Sequence, residues 1–94
     1  MIRRAGDRLL LEGEVSFDTV EVLLPAGTAL FDSGAIVVDL GGVTNADSSA
    51  IALLLAWTRT CRSTGRDLRY VAPPASLLEL ARLYGVTELL HLAA

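Results

Sequence analysis

Val37-Val38-Asp39-Leu40-Gly41-Gly42-Val43-Thr44-Asn45-Ala46-Asp47-Ser48-Ser49-Ala50-Ile51 is the stretch that decides the fold. Its first part is β-branched and continuous with Ala35 and Ile36, as a strand covered on both faces would be. Gly41-Gly42 then reads as turn chemistry in a loop. Asp47-Ser48-Ser49 reads as the opening of a helix, because Asp and Ser satisfy the free amides of a first turn. Strand, loop and helix in that order place Ser48 and Ser49 at the edge of the domain. A hydroxyl held there is either a cap or a switch.

Working outward, the rest of the chain alternates in the same way. Arg8–Leu11 is a short strand, and Gly13–Ser16 is its continuation or its hairpin partner. Between Asp18 and about Phe31, the residues Val20, Leu23, Leu24, Ala26, Leu30 and Phe31 approximate helical spacing. Pro25 lacks an amide donor and predicts a break or kink near Leu24, and Gly34 ends the run. The helix opened by Asp47 extends to about Thr64 and stops at Gly65, a natural place for left-handed backbone. Leu68–Val71 is the next strand, followed by Pro73-Pro74. Ala75–Tyr84 is a third helix, with Leu77, Leu80, Ala81 and Tyr84 on one face and Gly85 as its cap. Leu89–Leu92 reads as a last edge strand. The expected fold is α/β: a small mixed sheet of about four to five strands with right-handed crossovers. Three helices are too few to cover both faces, so they pack mainly on one.

Composition narrows the function. A chain of 94 residues with a net charge of −3 is one domain, residues 1–94, with a modest core. It carries no electrostatic footprint for nucleic acid. No apolar run approaches the ~20 residues that span a bilayer, and the N-terminus lacks the apolar core of a signal peptide. The expectation is a cytoplasmic protein without direct membrane insertion. Cys61 is the one cysteine and His91 the one histidine, so neither a disulfide nor a metal cluster is expected. No phosphate loop, dinucleotide fingerprint or nucleophile elbow occurs, and no cofactor is expected. Asp39 and Asp47 could form an acid/base couple. The alternative is that Asp39 ends its strand and binds backbone amides.

The helix after Asp47 has a sidedness of its own. At ~100° per residue, Ala50, Leu53, Leu54, Trp57 and Cys61 cluster on one face, which is the expected core. Ser48, Ile51, Ala52, Leu55, Arg59, Arg62 and Arg66 fall roughly opposite. An apolar patch beside a hydroxyl and rimmed by Arg has the composition of a protein-binding surface. The plainer reading is that another element of the chain covers the patch. For the Arg residues it is a solvated helix end that favours the dipole.

The pattern from Val37 to Ile51 resembles the signature of STAS domains, the fold of anti-sigma-factor antagonists. Leu11-Glu12-Gly13-Glu14-Val15 and Ala81-Arg82-Leu83-Tyr84-Gly85-Val86-Thr87-Glu88-Leu89-Leu90 extend the resemblance over nearly the whole chain. Leu53-Leu54-Leu55-Ala56-Trp57 and Leu80–Val86 are most similar to the MlaB-type branch, cytoplasmic subunits of ABC machinery that moves phospholipids between the two membranes of Gram-negative bacteria. That resemblance implies a non-enzymatic regulatory and assembly subunit bound to a transport ATPase, peripheral at the inner membrane through its partner complex. The contact would be carried by Asp47, Ser48, Ser49, Ile51, Ala52, Leu55, Arg59 and Arg62. In partner-switching STAS proteins the residue matching Ser48 is the one a kinase modifies. The alternative implied is therefore an anti-sigma-factor antagonist, phosphorylated on Ser48 by a kinase that is also an anti-sigma factor.

Overall fold

The computed structural model describes residues 1–31 and 35–92. Four strands and three helices alternate along the chain: β1 (Ile2–Ala5), β2 (Arg8–Val15), α1 (Val20–Leu30), β3 (Ala35–Ala46), α2 (Ser48–Ser63), β4 (Asp67–Val71) and α3 (Ala75–Leu83). The sheet order is β1-β2-β3-β4. β1 and β2 form an antiparallel hairpin, and β2, β3 and β4 run parallel. Both crossovers, through α1 and α2, step in the same direction across the sheet. Right-handed crossovers therefore put both helices on one face, and α3 packs beside α2 and against β3.

Burial follows that layering. Leu9, Leu11 and Val15 of β2, Ile36, Val38, Leu40 and Val43 of β3, and Leu68 and Tyr70 of β4 point under the helices and are buried. Val37 is only half-buried, so β3 is covered on one face and not on both. On the open face lie the ion pairs Arg3–Glu12, Arg8–Asp39 and Arg69–Asp67, at 2.9, 3.1 and 3.2 Å. Apart from Asp39, which is 23% exposed, their side chains are well exposed, which keeps such pairs weak.

Several local expectations change. Gly13–Val15 continues β2, and the hairpin partner is β1. β3 does not turn at Gly41-Gly42 but runs on to Ala46, with an extra β3 residue opposite Leu10–Glu12 and another opposite Gly13–Glu14. Gly42 is needed for space, because an added β-carbon would meet Glu12 Cγ at 2.8 Å across the strands. Pro25 lies inside a continuous α1. It falls on the exposed side, and the carbonyl it leaves without a helical donor belongs to exposed Glu21, so water replaces the missing bond. α1 ends at Leu30, and Gly34 lies outside the described residues. Residues 87–91 form turns, not an edge strand, and bury Leu90 completely.

α2 and α3 share one stop. The amide of Arg66 donates to the Cys61 carbonyl at 2.8 Å, and that of Gly65 to Arg62 at 3.2 Å. Val86 and Gly85 repeat the pattern on Ala81 and Arg82, each at 3.0 Å. Gly65 and Gly85 have φ of 73° and 68°, the left-handed backbone this closure requires.

Candidate functional site

Val15 and Ala46 are register partners at the ends of β2 and β3, which brings the two following turns together. The Asp47 amide donates to the Val15 carbonyl at 3.3 Å. The Asp47 carboxylate then ties both helix starts. Its Oδ1 accepts from the Ser49 amide at 2.9 Å and from the Ser49 hydroxyl. Its Oδ2 accepts from the Phe17 amide at 3.3 Å, just ahead of α1. The Ser49 hydroxyl, followed by the backbone amides, holds Asp47 below its ordinary carboxylate pKa. A carboxylate so engaged is a weak base. Asp39 lies about 20 Å along β3 from Asp47, so the two form no couple. Asp39 instead accepts from the Gly41 amide at 2.8 Å and from Arg8.

The two serines separate at once. Ser49 is buried by its bonds to Asp47, whereas Ser48 is exposed, and its hydroxyl has no hydrogen-bond partner among the described residues. One turn on, Ala52 is exposed and Leu55 half-buried, and Arg59 and Arg62 continue the exposed face. Ile51 departs from expectation. It is 4% exposed, because α3 and the segment after it pack along that flank of α2. Ala50, Leu53, Leu54, Trp57 and Cys61 are buried as their spacing requires. Burial raises the Cys61 thiol pKa, so it is not an activated nucleophile.

Two grooves flank the exposed ridge of α2. One, of about 530 Å³, lies against α1 and is lined by Phe17, Val20, Glu21, Leu24, Ser48, Ser49, Ala52, Leu53 and Ala56. The other, of about 300 Å³, is lined by Ser48, Ile51, Ala52, Leu55, Tyr84 and Val86. Ser48 and Ala52 belong to both. Phe17 is 72% and Tyr84 52% exposed, so each groove has a large apolar residue on its rim. Sequence reasoning missed Phe17, Val20, Leu24, Ala56, Tyr84 and Val86. Phe17 alone left a signal there, as an aromatic between the polar residues Ser16 and Asp18. His91 lies at the far end of α2, beside Arg62, Arg66 and Asp67, away from Ser48. Among the described residues no group of three His, Cys, Asp or Glu is placed to hold a metal, and no helix is long and apolar enough to cross a membrane.

A four-stranded mixed sheet with its helices on one face, and a helix opening on Asp-Ser after the long central strand, defines a STAS-type fold. The family described as "Mlab, STAS domain" matches residues 2–91, and this chain belongs to it. It is 32% identical over 87 residues to the intermembrane phospholipid transport system binding protein MlaB of Haemophilus influenzae, covering 85% of this chain and 81% of that protein. Among solved structures, the unphosphorylated anti-sigma factor antagonist SpoIIAA superposes with a TM-score of 0.74 at 18% identity, over 100% of this chain and 87% of that one. The crystal structure of Mglu superposes with a TM-score of 0.61 at 25% identity, over 80% of this chain and 20% of that one.

Proposed function

We propose that this protein is a non-enzymatic regulatory and assembly subunit, a single domain that binds the cytoplasmic ATPase of a phospholipid-transport ABC complex through the start of α2. The observation that carries this is the exposed Ser48 hydroxyl on a ridge between two apolar grooves. Such a surface offers apolar pockets for a partner's side chains, with exposed Arg59 and Arg62 at its margin, in keeping with the apolar core and polar rim of protein interfaces. The transport system for which the H. influenzae relative is named supports the transport setting. Asp47 fixes the helix start, and Ala52, Leu55, Arg59 and Arg62 extend the contact. Ser49 and Ile51 act from beneath the surface, by holding Ser48 and Leu55 in place. The protein would then sit in the cytoplasm and reach the inner membrane only through its partner. The test is titration of the purified ATPase with Ser48 variants. Ser48→Glu should weaken binding at least ~10-fold, about 1.4 kcal/mol, and Ser48→Ala should have a smaller effect, about 0.5–1.5 kcal/mol for one hydrogen bond. Equal affinity of Ser48→Glu and wild type would refute the reading.

The second reading is an anti-sigma-factor antagonist, favoured by the accessibility of a hydroxyl in the first turn of a 16-residue helix. The helix dipole there stabilises a phosphate, against the repulsion of the adjacent Asp47 carboxylate. Incubation with an anti-sigma kinase and ATP, followed by intact-mass measurement, tests it. A phosphate on wild type but not on Ser48→Ala supports this reading, and no mass gain removes it.

A further inference from the structure

The exposed ridge of α2 is complementary to itself. It carries a small residue, Ala52, and a large one, Leu55, at its middle. It has an acid at its N-terminal end, where Glu21 borders the groove, and Arg59 toward its C-terminal end, neither of them in an ion pair among the described residues. Place a two-fold axis perpendicular to α2, midway between Ala52 and Leu55. An antiparallel second copy then sets its Leu55 against Ala52 and its Arg59 over Ser48, within reach of Glu21. Symmetry makes each contact twice. Large meets small at the centre and opposite charges meet at both ends. From this we infer that a second copy of this chain docks on the ridge, forming a reversible antiparallel dimer through α2.

The alternatives on the molecule are weaker. The open sheet face already carries three ion pairs among the described residues. The small recess by His91 sets Asp67 beside its two arginines. The α2 ridge instead combines Glu21 and Arg59, neither ion-paired among the described residues, with unfilled apolar grooves. Its size sets the strength of the contact. The face is about 24 Å long and about 20 Å wide across two interhelical spacings. That is short of the roughly 800 Å² per partner of a standard stable interface, so the dimer forms and dissociates with concentration. It also covers Ser48. Self-association and capture by a different protein at the same face are then mutually exclusive, and the free chain holds its own recognition surface shielded. The inference does not depend on which protein that partner is.

Sedimentation velocity on the full chain, from about 10 µM to about 1 mM, tests it by mass action. The expected result is a monomer–dimer equilibrium that weakens in high salt. Arg59→Glu alone and Glu21→Arg alone should each weaken the dimer at least ~10-fold. The combined variant should return to within ~3-fold of wild type, because the charges are exchanged and not removed. Thermal melts of each variant verify folding, and both positions are exposed. A monomer at every concentration would leave the face to another protein and overturn the inference. A dimer indifferent to both charge reversals would overturn it too, by showing another interface. Neither outcome touches the ATPase reading, which the Ser48 titration decides separately.

Discussion

Gly27 of α1 lies directly against the indole of Trp57 in α2. A β-carbon added at Gly27 would collide with Cζ2 and fall 2.7 Å from Cε2 of the ring. The ring has nowhere to go, being fully buried, edge-on to Phe31 at 5.9 Å, and tied by its Nε1 donating to the Leu24 carbonyl at 3.1 Å. The absent side chain sets how closely the helices approach, and their separation shapes the larger groove.

Gly27→Ala should therefore destabilise the fold even though alanine is the better helix former. The propensity gain is about 1 kcal/mol, while overpacking a rigid site costs about 1–3 kcal/mol. A net loss of about 1 kcal/mol in urea unfolding is expected. A variant more stable than wild type would show that α1 moves aside freely.

Trp57 reports on the same contact. Its emission should be that of an indole shielded from water, shifting to the exposed value only on unfolding. Trp57→Ala should cost about 3–5 kcal/mol, a large share of the total for a domain this size. Native emission at the wavelength of exposed tryptophan would contradict the packing.

Asp47 predicts the acid side of the stability curve. Its folded pKa is depressed, chiefly by the Ser49 hydroxyl and then by backbone amides. A depressed carboxylate contributes stability that is complete above its unfolded pKa, near 4, and is lost as pH falls through the lower folded value. Asp47→Ala should lower Tm at neutral pH, and the gap to wild type should narrow below about pH 4. A gap that stays constant down to low pH would mean that the charge of Asp47 contributes nothing.

Legibility varied with how local the cause was. α2 could be read almost to the residue: Asp47 caps it, Gly65 ends it, and the spacing of Ala50, Leu53, Leu54, Trp57 and Cys61 gives its core face. These features depend on neighbours along the chain. β1 was missed because Ile2–Ala5 carries two arginines and becomes a strand only by pairing with β2. Residues 41–46 read as a loop because Gly, Thr and Asn favour turns, yet β2 supplies a partner that keeps them extended. Ile51 lies on the outward arc of α2 by angle alone, and it is buried because α3 packs beside it. The Asp47-Ser48 start was legible, but the grooves around it were not. They are assembled from α1, α2 and the end of α3, and no single segment encodes them.

That dependence makes Ala52 the sharpest probe of the surface. It is exposed, lies within α2, and lines both grooves, so a long side chain there projects outward and blocks the two together. Arginine is a good helix former, and surface substitutions away from special features stay within about 0.5 kcal/mol. Ala52→Arg should therefore melt close to wild type. It should lower affinity for the transport ATPase at least ~10-fold, because its side chain would fill the space of both grooves and its guanidinium would be carried into an apolar contact and lose water. Leu55→Asp is the less discriminating change, since Leu55 is half-buried against the core and its loss also costs stability. If Ala52→Arg is folded and binds as tightly as wild type, the partner does not use the ridge between the grooves, and the contact at Ser48 must be approached from the β3 side instead.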